Sequence, residues 1–208
     1  MDDVSATVVG VTSGQGYDAA QVLACAFERD PLIRYLLLAE CQESSFPKRL
    51  EALFRSVVAG HLGHEWPIFG CLVNAQIIGV ACVAEPVDGP PPQAVREIFA
   101  RLASVIGPEA TRRLQAYGQV TDQYRPAGPN HYLTVIGVQP DDQRRGCGRM
   151  LLDEVHTLSQ THRTSIGVAL DTETPANVSL YKHFGYRVIA RTSLEGVPMW
   201  HMFRPNGP

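Results

Sequence analysis

The chain has 208 residues, 45% of them apolar and 19% charged. That is enough for about one domain with a real core at roughly 150 residues each, and too apolar for a disordered chain. Eighteen Lys and Arg against 21 Asp and Glu leave a net charge of -3, so the overall balance offers nothing to nucleic acid or an anionic membrane, and any phosphate site has to be local.

Thr7 to Val11 is a short β-branched run, and Ser13-Gly14-Gln15-Gly16 turns it toward Asp18, which stands as an N-cap ahead of Ala19, Ala20, Val22, Leu23, Ala26 and Phe27. Asp30-Pro31 ends that helix. Leu50, Leu53, Phe54, Val57, Val58 and Leu62 then recur at helical spacing, with Pro47 near the start. Ile68 to Val73 and Gln76 to Ala84 read as two strands of an antiparallel hairpin across Asn74-Ala75.

Pro86 to Pro92 carries four prolines and can only be a connection. Ala94 to Ile106 and Glu109 to Gln123 follow as helices, and this middle third is expected to shape a substrate pocket. Arg125 to Asn130 is loop, His131 to Val138 a strand, Arg149 to His162 a helix and Thr164 to Thr172 the next strand. Pro175 to Phe184 forms a short helix closed by Gly185, and Tyr186 to Thr192 pairs with Val197 to Phe203. The second half therefore reads β-α-β-α-β-β. No run reaches the 18 or so apolar residues of a membrane span. Met1 to Ser5 lacks the basic and apolar regions of a secretory leader, so a cytoplasmic location is expected. Cys25, Cys41, Cys71, Cys82 and Cys147 are odd in number and contain no C-x-x-C, and they read as free thiols.

The strand ending at Val138 runs into Gln139-Pro140-Asp141-Asp142-Gln143-Arg144-Arg145-Gly146-Cys147-Gly148-Arg149 and then a helix. A glycine turn at a helix N-terminus exposes backbone N-H groups at the positive end of the dipole. Arg144, Arg145 and Arg149 add charge in a chain that is otherwise slightly acidic, so a phosphate-bearing ligand is the direct inference. No G-x-x-x-x-G-K-[ST] string exists, which removes the Walker loop. A dinucleotide fingerprint would start at Gly146-x-Gly148 and find an acid at Asp171. Its third glycine position is Leu151, however, and too little chain follows for a doubly wound sheet.

Gln143-Arg144-Arg145-Gly146-Cys147-Gly148 matches Q/R-x-x-G-x-G/A, and Asn177-Val178-Ser179-Leu180-Tyr181-Lys182-His183-Phe184-Gly185-Tyr186 carries an N...Y-x-x-x-G-[FY] segment after the next strand. Together these resemble the GNAT superfamily of N-acetyltransferases. Phe27 to Pro31, Val135 to Pro140 and Val197 to Met202 resemble the branch that contains puromycin N-acetyltransferase. The resemblance implies one domain over residues 1-208, of α/β class (α+β in some schemes), with a mixed, partly open central sheet and helices on both faces. It implies acetyl-CoA as acyl donor, no metal, and transfer to an amine by direct attack on the thioester. Ile136, Gly137 and Val138 would bind the pantetheine arm, with the Val138 N-H as oxyanion donor. Gln143, Arg144, Arg145, Gly146, Cys147, Gly148 and Arg149 would hold the pyrophosphate, and Asn177 would contact the cofactor or cap its helix. Tyr181, beside the cofactor, would be the general acid for the leaving thiolate.

For the base, Asp171 and Glu173 stand at the end of the strand beside the acyl site, Asp171 being the first choice, with Glu85 and His131 as further candidates. Competing readings make Gly146 and Gly148 a plain tight turn, Tyr181 a packing residue, Cys147 an acylated nucleophile and His61-x-x-His64 part of a metal site, while Arg112-Arg113 is expected to be a solvated helix face. The expected partner is a small-molecule amine, with no nucleic acid and no membrane, and a homodimer is compatible with the chain. The alternatives are a protein N-terminal or lysine acetyltransferase and a non-catalytic acyl-CoA-binding module.

Overall fold

Seven strands form one sheet in the order β1-β2-β3-β4-β5-β7-β6, in a computed structural model that describes residues 6-38, 42-86 and 89-207. The readings made on Met1 to Ser5, on Cys41 and on residues 87-88 lie outside the described residues. The strands are β1 Thr7–Gly10, β2 Ile68–Val73, β3 Gln76–Ala84, β4 His131–Val138, β5 Gly167–Thr172, β6 Arg187–Leu194 and β7 Val197–Pro205. The helices are α1 Gly16–Phe27, α2 Pro31–Leu37, α3 Phe46–Gly63, α4 Gln93–Ile106, α5 Pro108–Gln123, α6 Cys147–Thr161 and α7 Pro175–His183.

The β2-β3 turn works without glycine because Asn74 and Ala75 both adopt positive φ, 51° and 63°, the twist a two-residue hairpin needs. β3 is buried on both faces. Val80 and Cys82 join the core under α1, α3 and α4, while Ala81 and Val83 join the core under α6 and α7. The strand therefore reads as a continuous apolar run, and helices cover both faces of the sheet.

Two expectations at the start of the chain are corrected. Asp18 lies in the first turn of α1, whose N-cap is Gln15 after a short 3-10 turn closed by Thr12 and Gln15. Asp30-Pro31 both follows α1 and starts a helix: Asp30 accepts from the Ile33 N-H at 3.0 Å, and Pro31 takes the first position of α2, where a missing N-H costs nothing.

Every neighbouring pair is antiparallel except β4 and β5, which are parallel and meet only at His131↔Val168 and Tyr132↔Ala169. Opposite this point the β3-β4 register shifts between Cys82 and Val83. Such an irregularity bends a strand, and beyond it β4 leaves β5. The end of α1 lies against the freed part of β4: a Cβ on Gly137 would stand 2.9 Å from the Ala26 Cβ and 3.1 Å from the Phe27 ring. Gly137→Ala is expected to destabilise the protein by about 1-3 kcal/mol through overpacking, read as a lower urea midpoint at unchanged slope.

The cysteines are the third correction. Cys71 on β2 and Cys147 at the start of α6 are joined as a disulfide, with Cα atoms 6.0 Å apart and both side chains buried. Among the described residues Cys25 and Cys82 are free thiols.

Candidate active site

Where β4 and β5 part, two cavities open and meet. The larger, about 710 Å³, is lined by the end of α1, by Ile136, Gly137 and Val138, by the loop into α6 and by α7. The smaller, about 210 Å³, lies between α2, α3, α5 and the strands, and shares Phe27, Asp30, Ile136, Asn177 and Tyr181 with the larger.

The backbone supplies donors to the larger cavity. Gln139 N-H bonds Ile78 O at 2.9 Å, and strand groups alternate between edges, so the N-H groups of Val138 and Ile136 face away from β3, toward the gap. The Gln143 side-chain amide reaches the Val138 carbonyl on that edge at 3.3 Å. Arg144 and Gly146 take positive φ, 65° and 84°, which folds the loop so that successive N-H groups converge ahead of α6. A Cβ at Gly146 would meet nothing within 4 Å, and one at Gly148 only the Val138 Cγ2 at 3.9 Å. The space above the loop is thus open, of a kind a pyrophosphate would fill.

Of the residues expected to hold the acyl donor, Ile136, Gly137, Val138, Gln143, Arg144, Gly146, Cys147, Gly148, Arg149, Asn177 and Tyr181 all line the larger cavity. Arg145 does not, since its guanidinium is held by Asp142 at 2.6 Å. Cys147, buried and disulfide-bonded, has no thiol to acylate. Asn177 is not a helix cap, because Thr174 occupies that position.

Tyr181 stands where both cavities meet. Burial, and after it the charge of Glu173, pushes its hydroxyl pKa up to about 12, so it is a neutral O-H donor at ordinary pH. Among the described residues none hydrogen-bonds this hydroxyl.

The two strand carboxylates have separate environments. Asp171 accepts from the Tyr132 hydroxyl at 2.8 Å and pairs with His201 Nδ1 at 2.7 Å, and the far ring nitrogen of His201 meets Thr192 Oγ1 at 2.8 Å. Tyr124 stacks on the His201 ring, with centroids 4.6 Å apart. Burial raises the Asp171 pKa against the pull of His201 and Tyr132. Among the described residues Glu173 has one side-chain hydrogen-bond partner, the Tyr117 hydroxyl at 3.2 Å. Burial pushes its carboxyl up to about 8, with the charges of Asp171 and Asp30 adding to the shift and the Tyr117 hydrogen bond opposing it. Asp30, also raised by burial, completes the acidic rim.

The remaining candidates lie elsewhere. Glu85 and His131 line neither cavity. His131 is buried against Ser165 and His162, and burial lowers its pKa to about 4. His61 bonds Val57 O and Thr134 Oγ1, and His64 stacks on Trp66; among the described residues no group of three His, Cys, Asp or Glu is placed to hold a metal ion. Arg112 and Arg113 are not a free solvated face. Arg113 donates to Tyr35 O at 2.6 Å and Arg112 reaches Glu195 at 3.1 Å, tying α5 to α2 and to the β6-β7 turn. Sequence reasoning missed α2 and Tyr117; the Asp-Pro pair was a signal for the first, whereas nothing local marked the second.

Residues 94–203 match the model of the family described as "Acetyltransferase (GNAT) domain". The fold is similar to that of a Corynebacterium glutamicum protein described as a histone acetyltransferase and related acetyltransferase, at 22% identity and TM-score 0.73 over 98% of each chain. It is also similar to a Drosophila melanogaster polyamine N-acetyltransferase, at 17% identity and TM-score 0.59 over 96% of this chain and 98% of that one. A third similar structure is the PaiA N-acetyltransferase of Thermoplasma acidophilum in complex with coenzyme A, at 9% identity and TM-score 0.57 over 97% and 99%. The family match spans more than half of the chain, from α4 through β7, and takes in the loop, the splayed strand and Tyr181 together; on that match the chain belongs to the GNAT acetyltransferase family and is an acetyl-CoA-dependent N-acetyltransferase.

Proposed function

We propose that residues 1-208 act as one acyltransferase domain that moves acetyl from acetyl-CoA to the primary amine of a small molecule. The observation that carries this is the smaller cavity. It is about 210 Å³, roofed by α2, α3 and α5, and joined to the larger one at Tyr181. A lysine acceptor needs room for backbone on both sides of its residue and an N-terminal acceptor for backbone on one side, and here α2, α5 and the β6-β7 turn are tied together by Arg113, Tyr35, Glu195 and Arg112. Similar structures are described as acting on histone and on polyamine, so they do not choose between acceptors. The likeness of Phe27 to Pro31 and Val197 to Met202 to the puromycin branch points the same way as the cavity.

Acetyl-CoA supplies the activated thioester. The open cradle fits its pyrophosphate, with N-H groups from Arg144 to Arg149 as donors and Arg144 and Arg149 as countercharges. The Val138 N-H, fixed at the open edge of β4, meets negative charge as it develops on the acyl carbonyl. Glu173 Oε, open to the acceptor cavity, takes the proton that an ammonium has to lose before it can attack, while Asp171 is committed to Tyr132 and His201 and positions the strand. The Tyr181 hydroxyl donates its proton to the departing sulfur, so that CoA leaves as the thiol, and is restored by the proton that the attacking nitrogen gives up as it becomes the amide.

Calorimetric titration followed by thiol release tests this. Wild type is expected to bind acetyl-CoA saturably and Gly148→Asp at least about tenfold more weakly at unchanged melting temperature, because the new carboxylate enters open space against the pyrophosphate. Small primary amines should then release CoA and N-terminal or lysine peptides should not. Turnover of peptides alone would make the acceptor a protein, and tight binding with no turnover at all would make the protein a non-catalytic acyl-CoA-binding module.

A further inference from the structure

We infer that the acceptor is a small primary monoamine with an apolar body, one ring or a short branched alkyl group, and with no carboxylate or phosphate. This rests on the proposal that the acceptor is a small molecule, and it goes further by naming its chemistry.

Charge carries the first step. The described residues that line the smaller cavity include three acids, Asp30, Asp171 and Glu173, and no Lys, Arg or His. A carboxylate or phosphate on the acceptor would find no basic side chain lining the cavity to pair with and would stand close to Asp30, which is unfavourable. An amino acid, an amino sugar phosphate or a nucleotide-linked amine is therefore a poor fit. An ammonium group, by contrast, is favoured beside Asp30, which lines both cavities, and Glu173, which lines the smaller.

The helical walls carry the second step. From α2, α3 and α5 the cavity is lined by Leu36, Leu53, Phe54, Val57 and Leu114, of which Leu36, Leu53 and Phe54 are buried core residues. A second ammonium placed among these side chains would find no acceptor on them for its three N-H groups. A diamine or polyamine would have to leave that charge unpaired. Apolar walls with a polar group at one end match an amphiphile whose one charge is the reacting amine.

Volume sets the size. An apolar cavity of about 150 Å³ admits benzene, so 210 Å³ leaves room for one ring and a two-carbon arm. Two fused rings on a long arm would exceed it.

The test is thiol release by the full chain with acetyl-CoA and four acceptors: 2-phenylethylamine, L-phenylalanine, 1,4-diaminobutane and a lysine-containing peptide. The expected kcat/KM for 2-phenylethylamine exceeds that for phenylalanine and for the diamine by about a hundredfold, the cost of burying one uncompensated charge. Equal or better turnover of phenylalanine or the diamine would overturn the inference while leaving small-molecule acetylation standing. Turnover of the peptide alone would overturn both readings, and turnover of none of the four would overturn this inference while leaving small-molecule acetylation standing. A second variant guards against an unrelated cause for the preference. Leu114→Glu places an acid on the half-buried α5 wall, and it is expected to move the ratio of diamine to phenylethylamine turnover at least tenfold toward the diamine. An unchanged ratio in a folded variant would show that this wall does not meet the acceptor.

Discussion

Glu173→Gln is expected to lower kcat/KM by about 10²- to 10⁴-fold, the range for loss of a positioned general base, and to change the shape of the pH-rate profile. Because burial pushes the Glu173 carboxyl up to about 8, the wild-type group is mostly protonated at pH 7 and gains its basic form as pH rises. The rate should therefore climb through about pH 8. The acceptor amine also loses its proton with rising pH, but that ionisation belongs to the substrate and survives the substitution. The glutamine variant should keep the amine limb and lose the inflection near 8. Stability gives a second readout. A carboxylate whose folded pKa is raised above its unfolded value of about 4.3 contributes stability that is full below the unfolded value and lost as pH rises through the folded one. Glutamine does not titrate, so the variant should melt several degrees above wild type at pH 9 and together with it near pH 4. An unchanged profile with the inflection intact would remove Glu173 from the proton path.

The contrast between Glu173 and Asp171 shows where reading a sequence stops. Both carboxylates follow from their place at the end of β5, two residues apart. What separates them is their partners: Tyr132 and His201 stand 39 and 30 residues from Asp171 in the chain, and Tyr117 stands 56 from Glu173. No local pattern reports such distances. The donor loop was legible for the opposite reason. Gln143 to Arg149 is contiguous, its chemistry lies mainly in backbone N-H groups, and glycine spacing marks it directly. The strands were legible because alternation and apolar runs are local, so β2, β3 and β4 fall where the sequence puts them. α2 was not, since its seven residues span barely two turns, too few for a periodicity, and its Asp-Pro start doubles as a stop for α1. The disulfide joins residues separated by 76 positions, and connectivity across such a span has no signature in an odd set of cysteines. The acceptor cavity draws on α2, α3, α5, β4 and β5, each contributing apolar side chains that are indistinguishable in sequence from ordinary core.

Tyr181→Phe isolates the other end of the reaction. The ring is buried against Tyr186, with centroids 5.6 Å apart, and phenylalanine keeps that packing. Since no described residue bonds the hydroxyl, its loss strands no partner, and the melting temperature should stay within about a degree of wild type, as for a substitution that opens no cavity. Affinity for acetyl-CoA should also stay, because the pyrophosphate loop and the β4 edge are untouched. Turnover should not: kcat is expected to fall about ten- to a thousandfold with KM for the amine little changed, the pattern of an interaction made only as the thiolate departs. The hydroxyl pKa of about 12 makes a further distinction. A tyrosine acting as an acid is protonated throughout the working range, so its loss should lower the rate by the same factor from pH 6 to pH 9. A drop confined to high pH would instead mean that Tyr181 acts through Glu173, whose charge it feels, and that the proton reaching the sulfur comes from water.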